Sequence, residues 1–168
     1  MKSINPLYLI SLLFLLLLSQ GVFALQVGDS IPGFSVVSGT GQILIRDDLN
    51  NKKVMLFYED RSQLDLNQEL KDYLKTLTLD KNSVFTAAIV DCSDLGLFKK
   101  LWEDKLVDQS RKSGLSVYGD WNGKMKERFR YEDKTSTFIV INESGEVVYF
   151  KAGVISSSEF PKISNLVQ

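Results

Sequence analysis

Histidine is absent from this sequence of 168 residues, and cysteine occurs once, as Cys92. A single cysteine cannot form an internal disulfide, a CxxC redox pair or a cysteine zinc cluster. Without histidine there is no Ser-His-Asp or Cys-His site and no imidazole ligand for a metal. These absences exclude most common sets of catalytic residues. We therefore expect no metal ion and no cofactor, and we favour a protein that is not an enzyme.

An excess of charge of one sign is also lacking. The chain has 20 basic and 21 acidic residues, which gives a formal net charge of −1. A chain without a basic field is not expected to bind nucleic acid. Charged residues make up 24% and apolar residues 44%, proportions that exclude wholesale disorder and are typical of a globular protein.

The sequence contains one long hydrophobic run, and it lies at the N-terminus. Lys2 precedes the run Leu7–Leu18, and Val22-Phe23-Ala24 ends the segment with small residues at −3 and −1. This pattern predicts a secretory signal peptide over 1–24, cleaved after Ala24. An uncleaved anchor is the alternative, but a membrane span needs about 20 apolar residues. We expect a periplasmic or otherwise secreted protein with no stable membrane anchor after cleavage.

The rest of the chain, 25–168, has the pattern of one α/β domain. β-prone runs occupy 34–37, 43–45, 53–58, 84–90, 115–118, 137–141 and 147–151, and helical spacing occurs in 66–77, 95–106, 124–131 and 160–167. The predicted order is hairpin, β-α-β-α-β, hairpin, α, with no linker or internal repeat.

Two of the helices carry more specific expectations. Ser62, with Asp65 three residues later, resembles a capping box and predicts that the first helix begins there. In the second helix, five apolar residues recur at helical spacing and are expected on one side, which would face the core: Leu95, Phe98, Leu101, Trp102 and Leu106. Ser156 or Ser158 is expected to cap the last helix.

Three segments resemble the redoxin-type proteins of the thioredoxin fold. Val27–Phe34 is similar to their opening VGDxxPxF, 48–58 to their entry into the first core strand, and 135–147 to their xPTxFxIDxxGxI hairpin, which Gly153 follows. The best match is the YtfJ-like family of secreted proteins. The resemblance covers nearly all of 25–168 and implies a thioredoxin-like fold, with a mixed central sheet, flanking helices and an N-terminal β-hairpin.

The departures from that family concern its chemistry. The former active-site loop is Glu59-Asp60-Arg61-Ser62-Gln63, which contains neither a CxxC pair nor a peroxidatic cysteine. Ser136 stands where the family has a cis-proline, and the cysteines and histidine of copper-handling relatives are missing. Dithiol oxidoreductase, disulfide isomerase, peroxiredoxin and copper chaperone are therefore excluded as functions.

Cys92 is the one candidate nucleophile. In the expected topology it follows a parallel strand and lies at the same sheet edge as the former active-site loop, where ligands of open α/β sheets bind. A lone thiol can form a mixed disulfide or a sulfenic acid. The alternative is a buried cysteine that packs as a small apolar residue. Asp91 and Asp94 are expected to raise its pKa.

Carboxylates form a second candidate group. Glu59, Asp60, Asp91 and Asp94 are expected at one sheet edge, and carboxylates gathered in this way can bind a hard cation or act as acid and base. A solvated loop that caps a helix is the competing interpretation. In either case we expect Arg61 to pair with one of these acids.

Four aromatic residues form the third group: Trp102, Trp121, Phe129 and Tyr131. Trp102 is expected in the core, whereas Trp121 lies in a turn and is a candidate partner surface. Two functions remain. The first is a non-redox module that binds an envelope or secreted protein, or a small ligand, at the former active-site edge or at Trp121. The second is a monothiol redox protein or sensor that acts through Cys92.

Overall fold

The computed structural model describes residues 25–168. The predicted signal peptide, 1–24, lies outside the described residues, and its cleavage remains a prediction. In the described part of the chain, no helix is both long and apolar enough to cross a membrane.

Seven strands and four α-helices alternate along residues 25–168. The strands are β1 (Ser35–Ser38), β2 (Ile43–Ile45), β3 (Lys53–Glu59), β4 (Val84–Asp91), β5 (Ser116–Asp120), β6 (Ser136–Ile141) and β7 (Val147–Ala152). The helices are α1 (Gln68–Thr76), α2 (Lys99–Ser113), α3 (Lys124–Phe129) and α4 (Phe160–Val167). This is the element order that the sequence pattern predicts, including both hairpins.

The seven strands form one mixed sheet in the order β2-β1-β5-β4-β3-β6-β7. β3, β4 and β5 run parallel to one another, and β1 and β6 flank them in the antiparallel direction. The edge strands β2 and β7 are antiparallel to β1 and β6 and so run in the direction of the central strands. Parallel strands end at the same edge of a sheet, so the chain leaves β3, β4 and β5 on one side of the domain. We call this side the carboxyl edge: it comprises Glu59–Gln63, Asp91–Leu95 and Asp120–Gly123.

Two apolar cores cover the two faces of the sheet. Alternate residues of β3 point to opposite faces, so Leu56 and Tyr58 enter one core while Met55 and Phe57 enter the other. Met125 and Phe129 of α3 belong to the first core; α1, α2 and α4 supply the second with Leu70, Leu106 and Ile163, among others. The continuous apolar run of β3 therefore identifies a strand that is buried on both faces.

The helix starts differ from the sequence predictions. The capping box at Ser62 is wrong: α1 begins at Gln68, and the Ser62 amide and hydroxyl both donate to Asp60 Oδ1, at 2.8 and 2.6 Å. A carboxylate two residues upstream thus competes successfully for the Ser62 donors. The last helix is preceded by a 3₁₀ turn, Ser157–Glu159, which Ser156 caps.

The prediction of which residues form the apolar side of the second helix is also partly wrong. A separate 3₁₀ turn, Gly96–Phe98, precedes α2, so helical spacing counted from Leu95 does not continue into α2. As a result, Phe98 and Leu101 are exposed, and Trp102 is half-buried against the second core. Leu106 is buried as expected.

Candidate functional site

The loop Glu59–Gln63, which the motif resemblance predicts to be a former active-site loop, folds around Asp60. The Asp60 carboxylate accepts the two Ser62 hydrogen bonds, and its amide donates to the Thr135 carbonyl at 3.2 Å. The Gln63 amide donates back to the Asp60 carbonyl at 2.8 Å. Partial burial raises the pKa of Asp60, but the hydrogen bonds from Ser62 outweigh this effect and hold the pKa below its ordinary value. Asp60 is therefore a structural carboxylate of the loop.

Arg61 connects this loop to the segment after β4. Its guanidinium forms an ion pair with the Asp94 carboxylate and lies 5.6 Å from the centre of the Trp102 ring. The expectation that Arg61 pairs with a nearby acid is thus confirmed, with Asp94 as the partner. The pair bridges two of the three loops of the carboxyl edge.

Cys92 lies at the predicted edge, but its thiol is buried. The residue is only 2% exposed and belongs to the second apolar core. Burial raises the pKa of the thiol to about 12, while Arg61 opposes this rise and Asp91 adds to it. The expected effect of the neighbouring acids has the right sign, but burial is the larger cause. A thiol in this environment is protonated near neutral pH, whereas the thiolate is the nucleophile.

The carboxylates of this edge are held by separate cations. Asp91 accepts a 2.7 Å contact from Lys126 Nζ, which also contacts Asp133, while Asp94 pairs with Arg61. Burial raises the pKa of Asp91, but hydrogen bonds from Lys126 and Ser93 together lower it below its ordinary value. Among the residues that the structure describes, no three acidic or thiol groups are arranged to hold a metal ion. The arrangement gives the cation hypothesis no support.

Glu59, expected in a solvated loop, is instead buried in an ion pair. Glu59 and Lys71 are only 1% and 6% exposed, and Oε1 lies 2.6 Å from Nζ. The ammonium group also donates to the Leu64 carbonyl at 2.9 Å and lies 5.4 Å from the centre of the Phe57 ring. Burial raises the pKa of Glu59 to about 7, although the Lys71 charge acts in the opposite direction. Sequence reasoning missed Lys71, because α1 otherwise has the pattern of an amphipathic helix.

A buried polar cluster lies behind the carboxyl edge, on the face of the sheet opposite to Cys92. The Tyr58 hydroxyl donates to Asp120 Oδ2 at 3.0 Å, and the Lys126 amide donates to the same oxygen at 2.9 Å. Tyr131 stacks on Tyr58 with ring centres 4.2 Å apart. Burial raises the pKa of Asp120, and the negative charge of Asp91 adds to this effect. Phe129, one of the four aromatic residues singled out in the sequence, is fully buried beside Tyr131.

Ser136, which the motif resemblance predicts to stand in place of a cis-proline, is fully buried and has a trans peptide bond. No peptide bond within residues 25–168 is cis. The Ser136 carbonyl accepts a hydrogen bond from the Gly153 amide at 2.8 Å. Asn67, also buried, donates to the Gly153 carbonyl at 3.0 Å and accepts from the Ile155 amide at 2.9 Å. Hydrogen bonds of the Asn67 side chain therefore fix the segment after β7 to the start of α1.

Trp121 is anchored and half-buried. Its indole N–H donates to the Val37 carbonyl at 2.8 Å, and Lys99 Nζ lies 5.4 Å from the ring centre. The ring covers Gly119, where a Cβ atom would lie 2.7 Å from it. The side chain joins β1 to the end of β5 and retains only part of its surface for a partner.

One group of exposed apolar residues is close together in the chain, at positions that the sequence pattern placed on the apolar side of the second helix or did not single out. Leu97, Phe98 and Leu101 are 100%, 65% and 52% exposed. They follow directly after Asp94, so this group, which we call the Leu97 patch, adjoins the carboxyl edge. Trp102 lies beside it, between Arg61 and Lys105.

No protein-family model matches the sequence, and no curated protein matches it either. Solved structures do. The thioredoxin domain of a thiol-disulfide oxidoreductase from Bacteroides vulgatus is 14% identical, with a TM-score of 0.63 over 86% of this chain and 100% of that one. A thiol-disulfide oxidoreductase from Bacteroides fragilis is 17% identical (TM-score 0.60; 82% and 99% covered), and a peroxiredoxin-like protein from Aquifex aeolicus is 15% identical (TM-score 0.62; 86% and 90%). At these identities the likeness concerns the fold alone, and the chain has the thioredoxin-like fold that its motifs imply.

Proposed function

We propose that this chain is an extracytoplasmic thioredoxin-fold protein that has no dithiol chemistry and binds a partner protein at the carboxyl edge. We also propose that it belongs with the YtfJ-like proteins. The former active-site loop contains no cysteine, and its polar groups form hydrogen bonds and ion pairs within the domain. The loop is therefore organised as a fixed surface.

The observation that carries this proposal is the Leu97 patch. Three large apolar side chains lie exposed within five consecutive residues, next to the edge where open α/β sheets bind their ligands. Burying one such side chain stabilises a complex by about 1.5–3 kcal/mol before the costs of association. Exposed apolar residues grouped in this way mark interaction sites in soluble proteins.

The partner has a definable chemistry. An apolar pocket or helix face would cover Leu97 and Phe98, and polar groups at its rim would meet Asp94 and Lys100, which are both exposed. Because the predicted signal peptide directs the chain out of the cytoplasm, we propose an envelope or secreted protein as the occupant. The near-neutral net charge argues against nucleic acid.

The monothiol alternative is the weaker candidate. Redox-sensing cysteines are exposed and have a lowered pKa, whereas Cys92 is buried and its pKa is raised to about 12. Local opening of the Asp91–Leu95 segment would be needed before the thiol could react.

Site-specific photo-crosslinking in the native envelope tests the proposal. A photoreactive residue replaces Leu97, and a matched one replaces Val27, which is 62% exposed but lies beside the start of β7, at the opposite edge of the sheet. We expect a discrete adduct of fixed mass from position 97 alone. A Leu101→Asp change should abolish it, and the crosslinked protein, once purified, should bind the unmodified chain. Equal adducts from both positions, or none from position 97, would contradict the proposal.

A further inference from the structure

A large open cleft of the domain is remote from the Leu97 patch in the chain. Its volume is about 680 Å³, and its lining residues come from three segments: Ile31, Gly33, Phe34 and Ser35; Ile45, Arg46 and Asp47; and Asn122, Lys124 and Arg128. Small-molecule sites in proteins have volumes of about 300–1,000 Å³. The cleft reaches the carboxyl edge at Asn122, but partner binding at the Leu97 patch does not involve its other lining residues.

The cleft is strongly basic in a chain that is not. Arg46, Lys124 and Arg128 line it, with Asp47 as the one acid. Asp47 is 73% exposed and lies 4.0 Å from Arg46, so solvent weakens that ion pair. Within residues 25–168, neither Lys124 nor Arg128 forms an ion pair with a carboxylate. A concave surface of one sign concentrates ligands of the opposite sign.

Both guanidinium groups are held in place by the same segment. Arg46 Nε donates to the Ile31 carbonyl at 3.1 Å, and Arg128 Nη1 donates to the Gly33 carbonyl at 2.6 Å. A guanidinium has five N–H donors, so each retains donors for a ligand after making this bond. Fixing the side chains in advance lowers the entropy cost of binding, and guanidinium groups bind carboxylate or phosphate oxygens well.

The wall of the cleft also has an apolar part. Ile31 and Phe34 are buried with one side towards the cleft, and the Phe34 ring packs edge-on against Phe129, with centres 5.8 Å apart. Ile45 adds a partly exposed apolar side chain. From the cavity, its charges and the anchored guanidinium groups, we propose that this cleft binds a small organic dianion with an apolar portion, either a phosphate monoester or a dicarboxylate.

Calorimetric titration of the purified protein tests this inference with three probes. Phenyl phosphate and phthalate represent the two sources of the dianion, and benzyl alcohol is the neutral control. Lys124→Gln and Arg128→Gln each remove one positive charge from an exposed side chain, so the fold should persist, as circular dichroism will check. Lys112→Gln removes the same charge from an exposed position near the end of α2, outside the cleft.

We expect at least one dianion to bind and benzyl alcohol not to bind. Lys124→Gln and Arg128→Gln should each weaken binding by roughly tenfold, the factor expected for losing one charged hydrogen bond, while Lys112→Gln should leave the affinity within about twofold. Raising the salt concentration should weaken binding. The dianion that binds more tightly identifies the ligand class.

Three results would overturn the inference: no binding of either dianion at millimolar concentration, equal binding of benzyl alcohol, or equal loss of affinity in all three variants. The crosslinking experiment at position 97 is independent of this result, so the dianion site and the partner surface can fail separately.

Discussion

Glu59 Oε1 and Lys71 Nζ lie 2.6 Å apart in the interior, and their contact joins the end of the central strand β3 to the first turn of α1. Both side chains are almost completely removed from solvent. A buried ion pair offsets the cost of desolvation only while both partners are present. The pair therefore fixes α1 against the former active-site loop more through the penalty of breaking it than through a net gain.

Removing one partner of the Glu59–Lys71 pair should destabilise the protein strongly, whereas removing both should destabilise it little. We expect Lys71→Met to lower the free energy of unfolding by about 3 kcal/mol near pH 8, because it leaves a buried carboxylate without a counter-charge. In Glu59→Gln/Lys71→Met the loss should be smaller than the sum of the two single changes. Urea denaturation, followed by circular dichroism, measures the free energy of unfolding of the two single variants and of the double variant. Lys75→Met, which breaks an exposed pair with Asp72 one turn further along α1, is the control and should cost less than about 1 kcal/mol. Additive losses would contradict the coupling.

The same carboxyl group should make stability depend on pH. Burial raises the pKa of Glu59 from 4.5 to about 7 in the folded protein. Between these values the folded state binds more protons than the unfolded state, so the free energy of unfolding falls as pH rises and levels off above about pH 7. The expected loss is about 2–3 kcal/mol.

Other groups titrate as well, so the measurement is a difference. The free energy of unfolding of the native protein minus that of Glu59→Gln, measured from pH 4.5 to pH 8, isolates this carboxyl group. The difference should decrease with rising pH across the window. A constant difference, or one that increases, would show that the folded carboxyl titrates near or below its ordinary value.

Local pattern explains why most of the fold could be predicted. The β3 run KVMLFY is apolar on both faces, and the turn Asn142–Gly145 separates two β-prone runs, so strand identity and order follow from neighbouring residues. The fold itself follows from the motif resemblance. The prediction of a capping box at Ser62 was wrong, because the Ser62 hydroxyl donates to the nearby Asp60 carboxylate and does not cap the helix.

The site was less predictable because its contacts are distant in sequence. Asp120 and Tyr58 are 62 positions apart, and their hydrogen bond depends on the strand order. Glu59 and Lys71 are only 12 positions apart, but nothing in either local pattern indicates that the helix directs its lysine inward. The cleft lined by Arg46 and Arg128 likewise appears only after the N-terminal hairpin has packed beside α3.

The purified protein should not catalyse disulfide reduction. We expect it not to accelerate the reduction of insulin by dithiothreitol, because the loop Glu59–Gln63 supplies no thiol and Cys92 has no partner thiol. Insulin precipitation, followed by turbidity, should match a reaction without protein. The Cys92→Ala variant is the matched control and should give the same trace. Turnover well above the blank that is lost in the variant would restore a redox function.

Export should remove the first 24 residues. The residues Val22-Phe23-Ala24 predict cleavage after Ala24, so the exported protein should begin at Leu25. Intact-mass measurement of the protein from the secreted or periplasmic fraction checks this directly. Ala24→Pro should block processing, and the precursor should then remain with the membrane fraction. A native chain that retains Met1 would instead indicate an uncleaved anchor.

Cys92 should behave as a packed apolar residue. Because burial raises the pKa of its thiol to about 12 and leaves it 2% exposed, a maleimide reagent at pH 7.5 should modify it only after denaturation. The control is Leu97→Cys in a Cys92→Ala background, which presents a thiol at a fully exposed position of the same edge and should react at once. Cys92→Ala should cost on the order of 1 kcal/mol of stability, as expected for a small change in a core.

Function should likewise survive this substitution. In a deletion strain, Cys92→Ser should complement as well as the native gene does, provided that the protein reaches its normal level. Leu97→Asp, which alters the proposed partner surface and leaves the core untouched, should fail at the same level of protein. The opposite pattern, with complementation by Leu97→Asp and complete loss in an abundant Cys92→Ser protein, would replace partner binding by thiol chemistry as the function of this edge, because function would then require the thiol and tolerate a charge in the Leu97 patch.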